Sequence, residues 1–351
     1  MNIEKKAAGR LPDGQMATVY TLKNGKGMAA EILTYGCRLA RLYVPDKYGK
    51  QENVVLGHDT FDEYEKDGDV LGAVIGRYAN RIAGAEVSVD GTVYHMQKND
   101  GNNALHSAPG GYQNRNWQAV SQNGNGASPA VTFCYFDKGD SNLPGHIKVY
   151  VTYKLTDSNE LVIDYEAETD AETPFSPTNH SYFNITGSGC ENICSLEAKI
   201  YADYITEVKG DLIPTGKLLP VSGTPYDFRE YKTIGRDIKA SDKLLELCGG
   251  YDINYVIRGT SGNMNKAAEL IDKESGRKLE VFTDMPGMQF YTANSFSAGT
   301  LGTNGRKLKP HCATCLETQF FPDSVHHPSF PYENLKPGKR FHSTTIYRFS
   351  T

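Results

Sequence analysis

The 351-residue chain is poor in cysteine: seven are scattered from Cys37 to Cys315. An odd, sparse set of this kind fits reduced thiols in a cytoplasmic protein better than a disulfide framework. No stretch approaches the ~20 apolar residues that a membrane helix needs. The charged opening Met1-Asn2-Ile3-Glu4-Lys5-Lys6 has no signal-like apolar run behind it. Positive charge is not in excess either. With 37 Lys and Arg against 42 Asp and Glu the net charge is −5, evenly mixed along the chain, so neither nucleic acid nor a membrane is an expected partner. Low-complexity tracts, exact repeats and linkers are missing, and 39% hydrophobic content with 35 Gly and 16 Pro excludes collagen, coiled coil and global disorder. One continuous domain spanning residues 1–351 is expected.

Helical periodicity is also scarce, and alternation at period two takes its place. Val149 to Leu155 alternates, Thr156-Asp157-Ser158-Asn159 interrupts, and Leu161 to Ala167 resumes, which predicts a hairpin. Asn24-Gly25 and Asp90-Gly91 lie between similar runs, and both dipeptides favour two-residue hairpin turns. Ala267 to Ile271 is expected to pair with Lys278 to Thr283 through Glu274-Ser275-Gly276. Only Asp59 to Lys66 and Ser241 to Cys248 look helical, the second opened by a serine cap and closed by Gly249-Gly250. Asn123-Gly124-Asn125-Gly126 reads as a loop tip. The fold class is all-β, a large antiparallel sandwich.

Several segments carry more polar function than a hairpin needs. Gly76 to Ile82 holds Asn80, Arg77 and Arg81; Asn99 to His106 ends on an imidazole; Thr178 to Asn184 holds His180. Tyr251 to Tyr255 holds Asp252, Pro286 to Asn294 holds Gln289, and Cys315 to Gln319 holds Glu317. Each has a bland explanation as a hydrogen-bonded structural group. Together, imidazoles, carboxylates, amides and guanidinium set among aromatics suit a ligand rich in hydroxyls. Asp252 can accept two hydroxyls, Asn80 and Arg81 can donate, and Glu317 with His180 form a candidate proton-transfer pair.

These segments resemble the aldose 1-epimerase (galactose mutarotase) family. The likeness rests on GRYANRI at Gly76 to Ile82, Leu105-His106, NHSYFN at Asn179 to Asn184, Tyr251 to Tyr255, GMQFYT at Gly287 to Thr292, and LETQ at Leu316 to Gln319. The six blocks run in the family's order over residues 76 to 319, and their conjunction is far more specific than any one of them. The resemblance implies a β-sandwich of the galactose mutarotase type and a reaction without cofactor or metal, interconversion of the α and β anomers of a free aldose such as galactose or glucose. It implies Glu317 as the base on the C1 hydroxyl and His180 as the acid on the ring oxygen. Asn80, Arg81, His106, Asp252 and Gln289 are implied as sugar-binding residues, and the sequence leaves monomer and homodimer equally open. The chain departs from the pattern at Ser107-Ala108-Pro109, inserted before Gly110-Gly111, at Ile253, where a histidine is common, and at Ser176-Pro177.

Rival readings have weaker support. Cys312-Ala313-Thr314-Cys315 is a CxxC thiol motif, but there is no second CxxC, and strand alternation explains the segment. His311, His326 and His327 are read as surface-loop residues, Trp117 as core and Arg77 as structural. A hexose-6-phosphate epimerase would need a basic cluster for the phosphate. A non-catalytic carbohydrate-binding sandwich would not need Glu317 and His180 together.

Overall fold

The computed structural model describes residues 3–124, 128–187, 192–297 and 299–351, so Asn125-Gly126 of the expected loop tip lie outside the described residues. Strands dominate and every ladder between them is antiparallel. A nine-stranded sheet runs in the order Gln118–Asn123, Ala130–Asp137, Ile147–Leu155, Glu160–Thr169, Phe341–Ser350, Lys278–Thr283, Asn265–Ile271, Glu197–Ile200, Lys232–Thr233. A six-stranded sheet runs Tyr182–Phe183, Thr314–Gln319, Gly287–Tyr291, Asp252–Ile257, Ala202–Val208, Pro214–Pro220, and a five-stranded meander occupies Glu4–Arg10 through Gln51–Asn53.

Alternation decides which side of each strand is buried. Ile147, Val149, Val151, Tyr153 and Leu155 all point inward, opposite Leu161, Ile163, Tyr165 and Ala167 of the paired strand. Both smaller sheets pack on this inner face. Tyr20 of the meander meets Phe133 edge-on at 5.4 Å, and the Tyr153 hydroxyl donates to the Cys37 carbonyl at 2.7 Å. Phe183 of the six-stranded sheet meets Tyr347 at 4.8 Å, and the Tyr347 hydroxyl donates to the Leu316 carbonyl at 3.1 Å. The result is a two-layer sandwich with one hydrophobic cluster running between the layers.

The local expectations fare unevenly. The Ile147–Leu155 hairpin and the Asn265–Ile271 with Lys278–Thr283 pair form as read, and Asp90-Gly91 makes a two-residue turn with both φ positive, at 49° and 75°. Asn24-Gly25 does not: Lys23 pairs with Ala29, leaving a longer turn. There the Asn24 side chain accepts from the Lys26 and Met28 amides and donates to the Thr156 carbonyl, so a tertiary tie to the neighbouring turn replaces the tight geometry. The helices shrink to Phe61–Glu65, with a Thr60–Glu63 capping box, and Lys243–Cys248. In the latter the cap is Asp242 rather than Ser241, since the Asp242 carboxylate takes the Leu244 and Leu245 amides, while Gly249 ends it at φ 68°. Trp117 and Arg77 are buried as expected, Arg77 against Asp137, the Thr173 hydroxyl and the Pro144 carbonyl. His326 and His327 are tied to Asp323 beside a short 3₁₀ turn.

Candidate active site

One face of the six-stranded sheet builds the floor of a cleft. On the Thr314–Gln319 strand, Leu316 and Thr318 turn to the sandwich core, so Cys315, Glu317 and Gln319 turn the other way. Register extends that row across the sheet. Glu317 stands opposite Gln289, which stands opposite Asn254; Cys315 stands between Tyr182 and Tyr291, and Tyr291 opposite Asp252. Four strands thus deliver their polar residues to one surface because their apolar neighbours fill the other.

Two of the remaining groups, Asn80 and His106, arrive on loops in strained backbone. Asn80, His106 and Ser107 have φ of 62°, 57° and 53°, a left-handed region that residues other than glycine occupy only sparsely. The two segments hold each other there. The His106 amide donates to the Asn80 carbonyl at 3.0 Å, and the Asn80 amide donates to His106 Nδ1 at 3.1 Å. The Ser107 hydroxyl accepts from the Tyr78 amide and donates to its carbonyl, at 2.9 and 3.0 Å. The inserted Ser107 therefore reinforces the loop that presents His106. His180 follows the short Thr178–Asn179 strand, pinned by its own amide to the Ala73 carbonyl and by its carbonyl to the Gly72 amide. Its ring lies 4.9 Å from Tyr182 and edge-on to His106 at 5.2 Å.

The cleft they enclose measures about 370 Å³ and is lined by Asn80, Arg81, His106, His180, Asp252 and Glu317, with Tyr182, Tyr291, Asp69 and Asn294 among the walls. Two wider surface grooves of about 810 and 1120 Å³ exist, but neither is lined by a buried imidazole. Of the seven residues singled out from sequence, six meet here. Gln289 lies just beneath, where its amide donates to Asp252 Oδ1 at 2.6 Å and fixes that carboxylate. Arg81 donates through Nε to Asp100 at 2.7 Å and stands 3.9 Å from Asp252. Sequence reasoning missed Asp100 as the clamp on Arg81. It also missed Asp69, which holds the Ser297 and Thr300 segment at the rim by taking the Ser297 amide and both hydroxyls. Neither carried a local signal, since both act across long separations in sequence. Of the departures from the family pattern, Ile253 faces the core and Ser176 is buried against the Arg77 segment, away from the cleft.

His180 Nε2 and Glu317 Oε1 face each other at 3.6 Å, with both side chains almost wholly buried. Glu317 Oε2 has no partner among the described residues, so its lone pairs remain open to a ligand hydroxyl. Burial raises the Glu317 carboxyl well above the usual range; the nearby Asp252 charge adds to this and Arg81 opposes it. Burial also pushes His180 down to about 4, against the attraction of Asp67. Both groups are pushed toward their neutral forms, because an ion pair in a dry cleft loses hydration that a 3.6 Å contact does not restore. The chemical effect is complementary: Glu317 becomes a stronger base, and protonated His180 a stronger acid, than either is in water. His106 is likewise held well below its ordinary value, chiefly by burial.

His106, His180 and Glu317 bring three potential ligand atoms within 4.8 Å of one another. The hydrogen bonding disfavours a metal there. A backbone N–H can only donate, so the Asn80 amide fixes His106 with a lone pair on Nδ1 and its proton on Nε2. The cleft-facing nitrogen then has a proton to give and no lone pair for an ion, which suits an oxygen ligand.

A sequence model described as aldose 1-epimerase matches residues 18–348 of this chain. The chain belongs to the aldose 1-epimerase family. The galactose mutarotase of Mus musculus is 38% identical over 352 residues, spanning 100% of this chain and 99% of its own. The aldose 1-epimerase of Escherichia coli strain K12 is 34% identical over 343 residues, 96% of each chain. A solved aldose epimerase homologue from C. elegans superposes with a TM-score of 0.87 at 31% identity, covering 95% of this chain and 99% of its own. The protein is thus an isomerase of the aldose 1-epimerase family, which interconverts aldose anomers, on a galactose mutarotase-type sandwich.

Proposed function

We propose that the cleft opens and recloses the ring of a free hexose, galactose or glucose, with Glu317 as general base on the C1 hydroxyl and His180 as general acid on the ring oxygen. The observation that carries this reading is the buried His180–Glu317 pair at 3.6 Å with Glu317 Oε2 unpartnered beside it. Removing the O1 proton while protonating O5 breaks the C1–O5 bond without a free alkoxide or oxocarbenium ion. Rotation about C1–C2 in the open aldehyde exposes the other carbonyl face, and the reverse transfers close the ring. His106 Nε2–H supports the ring oxygen, Asp252 and Arg81 hold the distal hydroxyls, and Asn80 and Gln289 fix the loop and carboxylate that do so.

A free sugar is favoured over a hexose 6-phosphate. Arg81 is the one Lys or Arg among the described lining residues, and Asp100 and Asp252 already engage it. A volume of about 370 Å³ lies at the small end of ligand sites, ~300–1,000 Å³, and suits a monosaccharide. The hydrophobic cluster shared by all three large sheets supports reading the chain as one domain. Buried thiols at Cys37 and Cys315, outside any disulfide among the described residues, fit a cytoplasmic location, and the reading is neutral between a monomer and a homodimer. Among the described residues no helix is long and apolar enough to cross a membrane.

The test is polarimetry on freshly dissolved α-D-galactose and α-D-glucose. Faster relaxation to an unchanged equilibrium rotation with protein, lost in Glu317→Gln, supports the assignment. A Glu317→Gln variant with near wild-type turnover removes Glu317 from the base role.

A further inference from the structure

Both histidines of the cleft need their inner nitrogens held if their outer nitrogens are to face a sugar. For His106 the main chain does this, through the Asn80 amide on Nδ1. For His180 the contact at Nδ1 is the thiol of Cys315, at 3.5 Å from Sγ. Cys315 and Glu317 are two residues apart on one strand, so they share a face. One rigid element therefore touches both edges of the His180 ring, Sγ at Nδ1 and Oε1 at Nε2, the latter at 3.6 Å.

We propose that Cys315 is a positioning residue for the reaction: its thiol holds the Nδ1 edge of His180, so that Nε2 is presented to Glu317 and the sugar ring oxygen. The inference rests on the acid role assigned to His180 above. It gives a chemical purpose to one half of the Cys312–Cys315 pair that is neither redox nor metal binding.

Three observations support it. The Cys315 side chain is fully buried, and Nδ1 is its one hydrogen-bond partner among the described residues. Burial holds the thiol well above its usual range, so it keeps its proton. A thiol can also follow the ring through the cycle. The imidazolium gives its Nε2–H to the ring oxygen and the neutral ring that remains keeps its proton on Nδ1, so Sγ accepts from Nδ1–H in both states and holds the ring in the tautomer whose Nε2 takes the proton back. A carboxylate in its place would stabilise the imidazolium and weaken the acid, whereas a weakly polar sulfur leaves it strong. The other groups facing the ring are Glu317, His106, Tyr182 and Tyr291 at the cleft, with the charges of Asp67 and Arg38 behind it. Among the described residues no other side chain makes a hydrogen bond to Nδ1.

The test separates a polar link from packing. Cys315→Ser keeps a group that can donate and accept but loses volume; Cys315→Val keeps volume and loses the link. Steady-state polarimetry should give Cys315→Ser a kcat within about twofold of wild type, and Cys315→Val a kcat down by about three- to tenfold at nearly unchanged KM, the range one weak hydrogen bond supplies. Imidazole ¹⁵N shifts of the sugar-free protein should show the His180 Nδ1 resonance moving in Cys315→Val and restored in Cys315→Ser. Val retaining activity while Ser loses it, or both matching wild type, or both losing equally, overturns the proposal. Because the NMR measurement needs no turnover, it still tests the Cys315–His180 contact if the wild-type protein fails to accelerate mutarotation and the functional reading falls.

Discussion

The two faces of the six-stranded sheet are made from alternate residues of the same strands, and they obey different rules. Leu316, Met288, Phe290 and Ile253 face the sandwich core, where close packing against Tyr347, Phe228 and Tyr251 sets their positions. Glu317 and Asp252 line the cleft, with Gln289 and Cys315 on the same face beneath it, where burial penalises charge and few partners are supplied. The first face spends apolar area on stability. The second keeps polar groups dry and underbonded, a destabilising arrangement that the first face makes tolerable. Substitutions one residue apart on a strand should therefore separate stability from chemistry.

The largest separation is expected at Glu317. Glu317→Gln should lower kcat by about 10²–10⁴-fold, the usual contribution of a positioned acid or base, while the folded protein still binds sugar, as measured by polarimetry and calorimetry. Next comes the core face. Phe290 is fully buried against Tyr251, Phe228 and Tyr255, so Phe290→Ala should cost about 3–5 kcal/mol in urea unfolding through lost transfer energy and a residual cavity. Its turnover per folded molecule should stay within a few fold, and a loss like that of Glu317→Gln would show that the two faces are not separable. Asp252→Ala should act mainly on KM, raising it about tenfold or more, since a hydrogen bond to a charged group contributes about 1.5–3 kcal/mol. An effect confined to kcat would instead make Asp252 part of the proton transfer.

The comparison also explains what the sequence made legible. Alternation in Leu316 to Gln319 is enough to set Glu317 apart from its core neighbours, and the same rule puts Asp252 in the cleft and Ile253 in the core. Six of the seven candidate residues converge for that reason, or because loops such as Asn80 and His106 are tied to each other. What stayed hidden depends on register or long-range contact. Gln289 sits below the cleft, paired across the strands with Asn254, and its amide reaches diagonally to Asp252. The Asp100 clamp on Arg81 and the tie from Asn24 to Thr156 are bonds between residues whose distance in space no local pattern encodes. Ser241 and Asp242 are both good helix caps by type, and because the helix starts at Lys243 it is the Asp242 carboxylate that reaches the Leu244 and Leu245 amides.

The smallest effect, and the most direct measure of how the cleft face opposes stability, lies in pH dependence. Burial raises the Glu317 carboxyl in the folded state well above its unfolded value. A raised folded value means that the unfolded chain loses its proton first as pH rises. Stability associated with this group is therefore fully present below the ordinary carboxylate range and declines as pH climbs toward the folded value. A neutral isostere has no proton to lose, so Glu317→Gln should be more stable than wild type at neutral pH, with the difference shrinking to nothing near pH 4. His180 works in the opposite window. Its folded value of about 4 lies below the ordinary imidazole value of 6.5, so its contribution is present above about 6.5 and is lost as pH falls toward 4. His180→Asn should then lessen the acid-side decline that wild type shows in that interval, whereas Glu317→Gln should flatten the neutral side. Urea midpoints between pH 4 and 8 separate the two. If Glu317→Gln gains nothing at pH 7.5, the carboxylate is solvated or paired in solution, and the cleft is not the dry, charge-averse face that sets it apart from the core side of the same strand.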